Sequence, residues 1–297
     1  MEQPGPDNPA ETTMQTSPPA EQLHCIKIGT GPHNILLLHG FAASAHTWDE
    51  LVPFFQPDKF TLHLLELKGH GDSTTCSGND YSPQYNAHLA AAHIRSHGLK
   101  DVTFIGHSLG GIIGLLSAMD CPEITRLILL DAPVFPQKIP RFMRLLRLPF
   151  IGPLLLSAIP AEKIARKGLE AVFHRQERIT GQLVERYAAV YRRKGSARAL
   201  ARTVRQIIPP SPAAIIARYK TISIPVLLLW GENDRVVKPW QAELLDRELQ
   251  NSQLILIPDC GHNPHEERPE QTYTLIQDFL SEGVLTTKHS PDKNIKS

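Results

Sequence analysis

Gly106-His107-Ser108-Leu109-Gly110-Gly111 is the stretch of this chain best suited to chemistry. A serine hydroxyl becomes a useful nucleophile when a sharp strand-to-helix turn presents it beside a base. Glycines two positions to either side suit such a turn, because side chains there would collide with the strained backbone. The spacing alone is weak: Gly-x-Ser-x-Gly arises by chance roughly 0.1 times in a chain of this length. Its context carries the argument. The apolar run Val102 to Ile105 precedes it as a strand, and Leu109 to Met119 follows with a helical pattern. That helix points its amide end at Ser108, so the Leu109 N–H can help hold an oxyanion.

A serine nucleophile needs a base, and the base needs an orienting acid. Asp234 follows the apolar run Pro225 to Trp230, and His262 follows Gln253 to Ile257. Both positions fall just past the carboxyl end of an expected strand, where loops gather. Asp131, at the end of Arg126 to Leu130, is a rival for the acid; otherwise it is a polar residue beneath the segment that follows. His265 is a rival for the base. His24, His46, His63 and His107 read as structural or solvent-facing histidines. The set His262, His265, Glu266 and Glu267 does not read as a metal site. Pro264 separates the histidines, and their i, i+3 spacing departs from the i, i+4 of H-E-x-x-H. Gly29-Thr30-Gly31 lacks the third glycine of a dinucleotide loop and reads as a hairpin turn. No metal and no cofactor are expected.

The elements that must position these residues alternate. Strands are expected at Asn34 to His39, Phe60 to Leu67, Val102 to Ile105, Arg126 to Leu130, Pro225 to Trp230 and Gln253 to Ile257. Helices are expected at Ser44 to Phe55, Ser82 to Ser96, Leu109 to Met119, Lys238 to Leu249 and Glu270 to Ser281. Such alternation implies an α/β fold, a mostly parallel sheet covered on both faces. Between Ala132 and Ile224 the alternation stops and proline-broken helices take over. A helical insertion there would sit above the carboxyl ends of the strands, where open α/β sheets bind ligands.

Composition narrows the class. The chain has 297 residues, 41% apolar and 21% charged, with a net charge of +1. A sizeable core is within reach, and disorder throughout is excluded. No apolar stretch approaches the ~18 residues that span a bilayer. Four widely spaced cysteines without a C-x-x-C pair indicate reduced thiols. Residues 1–21 read as a disordered, proline-rich tail lacking the basic start and apolar segment of a secretory signal, so the expected location is the cytoplasm. Residues 22–132 and 218–282 should form the core, 133–217 a helical cap, and 283–297 a flexible tail. Charge is divided unevenly. Residues 133–217 hold 16 Lys and Arg against four Glu, an excess of +12, leaving −11 for the remainder. The cap helices are expected to turn an apolar face to the active site and arginines outward. A lipid surface or an anionic substrate is the other reading of that basic face. Nucleic acid is excluded as a partner, because no aromatic platform or reading motif accompanies the arginines.

From about Ile26 to Leu280 the chain resembles the α/β-hydrolase superfamily, in the branch with a serine nucleophile and a helical cap. The resemblance rests on the Ser108 elbow, Gly231 to Asp234, Gly261-His262, and the family's chain order of Ser, Asp, His. His39-Gly40-Phe41, with Ser44 and Trp48 beyond, resembles the family's oxyanion loop and implies that the Phe41 N–H is the second oxyanion donor. Lys68 to Ser73 resembles the loop after the next strand. Glu66 departs from the Asp that many relatives carry. The implied activity is cleavage of a carboxylic ester, or a thioester, through an acyl-enzyme on Ser108, His262 and Asp234. Hydrolysis of a carbon–carbon bond in a β-diketone-like substrate is an alternative, as is a receptor or scaffold retaining the fold. Relatives that open epoxides use an aspartate nucleophile, so Ser108 argues against that chemistry. A small hydrophobic substrate is expected, with Leu146 and Phe150 of the cap lining its pocket.

Overall fold

The computed structural model describes residues 21–75, 78–138 and 141–282. Of the tails expected at 1–21 and 283–297, residues 1–20 and 283–297 lie outside the described residues, as does Cys76. Glu21 does not belong to a tail: its carboxylate pairs at 2.7 Å with Lys68, which is itself buried.

Seven strands form one sheet: β1 (Cys25–Ile28), β2 (His33–Leu38), β3 (Phe60–Leu65), β4 (Val102–His107), β5 (Ile124–Leu130), β6 (Val226–Gly231) and β7 (Ser252–Ile257). Their spatial order is β1-β3-β2-β4-β5-β6-β7, with every neighbouring pair parallel except β1 against β3 at the edge. The central strands are apolar at nearly every position because both faces are covered. Leu36, Leu38, Phe104, Leu127, Leu129 and Leu228 face α1 (Pro83–Ser96) and α2 (Leu109–Asp120). The alternate residues Ile35, Leu37, Ile105, Ile128, Leu130, Leu227 and Leu229 pack with Trp48, Ile276 and Phe279 on the other face. This period of two puts neighbouring residues of one strand into two separate cores.

Two local expectations differ from the structure, and one strand had no counterpart among them. Ser44 to Phe55 is two 3-10 turns, Ala45–Trp48 and Val52–Phe54, in place of a helix. Pro53 supplies no N–H for a continuous helix, and Trp48, Leu51 and Phe55 reach the core without one. Gly29-Thr30-Gly31 makes no hairpin, since β1 pairs with β3; the turn is held instead by Thr30 N–H to Pro57 O at 2.8 Å. β1 itself was not visible as an apolar run, because an edge strand of four residues is only half buried.

Between β5 and β6 the chain forms α3 (Arg141–Leu146), α4 (Ile151–Ala158), α5 (Ala161–Val172), α6 (Gly181–Arg192), α7 (Ser196–Gln206) and α8 (Pro212–Ile216). α5 and α6 pack through Ala165, Leu169, Leu183, Val184 and Ala188. α3, α4 and α7 meet at Leu146, Leu156, Leu200 and Val204, joined by Ala42 from the loop after β2. The apolar face that the cap helices were expected to turn inward is therefore only partly realised in α3 and α4. Gly152 and Leu156, one turn apart, use up the inner stripe of α4, and a helix apolar on nearly all sides must then show the rest to water. Leu145, Phe150, Ile151 and Leu154 are exposed. Beyond the insertion, α9 (Trp240–Glu248), α10 (Pro264–Glu267) and α11 (Pro269–Glu282) complete the layers around the sheet.

Candidate active site

β4 ends on His107, α2 starts on Leu109, and Ser108 between them adopts φ 49°, ψ −117°. This is left-handed backbone that a serine takes only where the surroundings impose it. They do so here: the Ser108 N–H donates to Leu130 O on β5 at 2.8 Å, and its carbonyl accepts from the Gly111 N–H at 2.9 Å. A Cβ at position 106 would lie 2.4 Å from Gly110 O, and one at 110 would lie 2.1 Å from Leu38 O. Both glycines are therefore dictated by close backbone approach. The turn leaves the Ser108 hydroxyl above the carboxyl end of the sheet.

The other two polar groups reach it from neighbouring strands. His262 Nε2 stands 2.9 Å from Ser108 Oγ, and His262 Nδ1 stands 2.8 Å from Asp234 Oδ2. Asp234 follows β6, and its Oδ1 accepts from the Val236 and Val237 N–H groups at 2.6 and 3.0 Å. Burial opposes its charge, but His262, Asp131 and the backbone donors outweigh burial and hold this carboxyl below its usual range. With Nδ1–H directed at a carboxylate, Nε2 carries a lone pair towards the serine hydroxyl. Hydroxyl, imidazole and carboxylate thus stand in one hydrogen-bonded series.

Asp131 lies against this series. It ends β5, is fully buried, and its Oδ1 accepts from the Gly231 N–H at 3.0 Å. Asp131, Asp234 and His262 each offer a polar atom within 4.8 Å of the others. No N–H faces Asp131 Oδ2 among the described residues. Burial first, and the Asp234 charge second, push the Asp131 carboxyl well above its usual range. Of the two carboxyl groups, Asp131 thus favours the proton and Asp234 the charge.

His265, the rival base, is buried away from Ser108 with Nε2 2.9 Å from Thr47 Oγ1. Burial lowers its pKa to about 3, so it is a neutral structural residue. His107 is likewise buried and neutral, and its Nε2–H donates to the His262 carbonyl at 2.8 Å. Glu66 accepts from the Ala45 and Asp72 N–H groups at 3.1 and 2.6 Å, so the longer acid ties together the two loops after β2 and β3.

Sequence reasoning missed the ties between the insertion and the histidine loop. The His262 N–H donates to Val172 O at the end of α5, at 2.9 Å. Glu267 accepts from His174 and Arg175 at 2.8 Å each and from Gly261 at 3.0 Å. Glu266 accepts from the Tyr187 hydroxyl of α6 at 2.7 Å and also from Asn263. A Glu-Glu pair next to a histidine reads as solvated charge in a sequence; only the packed insertion turns both side chains inward.

A cavity of about 250 Å³ opens over Ser108. Gly40, Phe41, Ser108, Leu109 and His262 line its base, placing the Phe41 and Leu109 backbone at the serine. As the first residue of α2, Leu109 has an N–H with no partner inside the helix. The walls are apolar and come mostly from the insertion: Met143, Leu169, Val172, Tyr187, Tyr191, Ile207 and Ile216. Leu146 and Phe150, expected to line the pocket, do not. Leu146 is 9% exposed and packs against α4 and α7, whereas Phe150 is 89% exposed. The amphipathic pattern showed that the helices had an apolar side, but not which apolar residues would meet the cavity.

Comparison with known proteins identifies the family and the fold. The chain is 29% identical over 264 residues to the pimeloyl-[acyl-carrier protein] methyl ester esterase of Nitrosomonas europaea, covering 84% of this chain and 96% of that one. It is 25% identical over 287 residues to monoacylglycerol lipase ABHD6 of Rattus norvegicus, covering 89% and 78%. The fold matches that of a thermophilic esterase from Thermogutta terrifontis, with a TM-score of 0.72, 24% identity and coverage of 89% and 94%. Residues 35–275 match the profile of the alpha/beta hydrolase family. The chain is an enzyme of the alpha/beta hydrolase family.

Proposed function

We propose that this hydrolase cleaves a carboxylic ester, or a thioester, through an acyl-enzyme on Ser108. The observation that carries the reading is the series Ser108–His262–Asp234 at the base of an apolar cavity. His262 Nε2 takes the hydroxyl proton as Ser108 Oγ bonds to the acyl carbon. Asp234 holds the imidazole tautomer and stabilises the imidazolium. The Phe41 and Leu109 N–H groups receive the oxyanion, where one lost donor typically costs about 10²–10³ in turnover. His262 returns the proton to the leaving alcohol or thiol. A water deprotonated by the same nitrogen then attacks the acyl carbon and releases the acid and Ser108.

The apolar walls favour a hydrophobic acyl or alcohol group, and the volume lies just below the ~300–1,000 Å³ usual for ligand sites, which suits a small substrate. The relative named as a methyl ester esterase supports ester chemistry. A fluorophosphonate is expected to label Ser108 in a one-to-one ratio and to abolish turnover of a short acyl ester, with neither effect in Ser108→Ala. Intact-mass spectra without an adduct, or ester turnover that survives Ser108→Ala, would overturn the reading.

A further inference from the structure

The turn between α3 and α4 carries an apolar surface that nothing in the fold uses. Leu145, Leu148, Phe150, Ile151, Leu154 and Ile159, all within 15 residues of one another, are exposed. Phe150 is the extreme case, at 89%, with Leu154 at 67%. Single exposed apolar residues are ordinary, but a contiguous set marks an interaction site. Phe150 also has φ 64°, a conformation that glycine or asparagine meets at lower cost. A bulky aromatic at such a position helps neither the turn nor the core, since its ring stands in solvent.

Charge selects the occupant. From residue 132 to 161 there is no Asp or Glu, while Lys138, Arg141, Arg144 and Arg147 supply four positive charges. Elsewhere on the insertion, Arg175, Arg186, Arg192 and Arg193 are paired with carboxylates. Arg144 and Arg147 are exposed and form no ion pair among the described residues. A second copy packed face to face would set this acid-free basic patch against itself, since a two-fold interface repeats the same surface. Residues 1–20 contain no Leu, Ile, Val, Phe, Trp or Tyr that could cover it. Protruding aliphatic and aromatic side chains ringed by arginines match an anionic membrane interface, with apolar tips among the acyl chains and cations at the headgroups.

We propose that the α3–α4 turn docks this enzyme on an anionic phospholipid bilayer. The surface adjoins the cavity: α3 contributes Met143 to the cavity wall, and the exposed Ile208 lies on its rim. Docking itself stands independently of the ester reading. That hydrophobic substrate reaches Ser108 from the bilayer rests on it.

The test is co-sedimentation of the full chain with phosphatidylcholine vesicles, with and without phosphatidylglycerol. Binding is expected to be at least about tenfold tighter with the anionic lipid, as three or four interfacial basic residues would produce. Phe150→Asp with Leu154→Asp should weaken it at least about tenfold, since two apolar anchors are lost and two negative charges gained. Arg144→Glu with Arg147→Glu should abolish the preference for the anionic vesicles while keeping Phe150 and Leu154. Short-ester turnover and melting temperature should match the unmodified protein in both variants, which separates lost docking from lost folding. Equal vesicle binding by the parent and the Phe150/Leu154 variant would overturn the proposal. So would a parent that pellets with neither vesicle, or one that dimerises until Phe150→Asp disperses it. If the parent binds vesicles yet turns over no ester, the docking surface holds and the ester reading fails.

Discussion

Asp131 and Asp234 bring two carboxyl groups to one imidazole, and their surroundings separate their charges. Asp234 is held ionised by His262 and two backbone N–H groups, whereas Asp131 is held protonated by burial and by Asp234. Asparagine is the isostere of a protonated aspartate, so Asp131→Asn should retain turnover close to that of the unmodified enzyme. Asp234→Asn favours the wrong imidazole tautomer, a change worth ~10⁴ in the serine-protease triad. Here the loss should be smaller, because removing the Asp234 charge lets Asp131 ionise within reach of His262. The double variant should restore the full loss. Rates on a short acyl ester check this: identical rates for Asp234→Asn and the double variant would show that Asp131 gives His262 no support. In the sequence both aspartates follow apolar strands, with Asp234 taken as the acid and Asp131 as its rival. What distinguishes them is the donors each meets, and those donors come from other segments of the chain.

At the scale of elements, the insertion and the histidine loop hold each other through buried carboxylates. Glu266 lies beneath α6, hydrogen-bonded to Tyr187 and Asn263, with no donor facing its Oε1 among the described residues. Burial raises its pKa to about 7. An unfolded glutamate loses its proton near pH 4.3, so between there and about pH 7 the unfolded chain ionises while the folded one does not. This group therefore withdraws stability as pH rises through that window, by about 4 kcal/mol at most. Glu266→Gln removes the effect. Thermal unfolding at pH 5 and pH 8 should show the variant gaining on the parent at the higher pH, and parallel pH dependence would refute the assignment. Nothing in Asn263-Pro264-His265-Glu266-Glu267 by itself predicts this, since the environment of Glu266 is made by Thr47 and Tyr187, both more than 75 residues earlier in the chain.

At the scale of the molecule, a sheet with both faces covered supplies the rigid base, and the insertion between β5 and β6 supplies the walls of the cavity. Chain-length preference should therefore reside in the insertion, and at residues inside the cavity. Ile207→Trp, which fills part of the space, should lower kcat/KM on long acyl esters more than on short ones. Leu146, buried between α3, α4 and α7, should behave differently: Leu146→Ala leaves a packing defect that costs about 2–5 kcal/mol and depresses melting temperature, with all chain lengths affected alike. A series of esters assayed with both variants distinguishes the two roles; equal losses with Ile207→Trp would remove it from the substrate path.

Six of the seven strands, the glycine-flanked elbow and the chain order of Ser108, Asp234 and His262 were legible in the sequence. Strand periodicity and turn sterics are local, acting over two to five residues, and a short buried strand leaves its mark without reference to anything distant. The insertion was legible as helical and basic, yet its orientation was not. An apolar stripe says that a helix must bury something; which neighbour it buries against depends on how six short helices share the available surface. Packing spent Leu146 and Leu156 on one another, gave Met143 and Leu169 to the cavity, and left Phe150 and Leu154 facing water. Protonation followed the same division. Asp131 and Glu266 have ordinary acid side chains, and only burial beside a second carboxylate or beneath a helix raises the pH at which each gives up its proton.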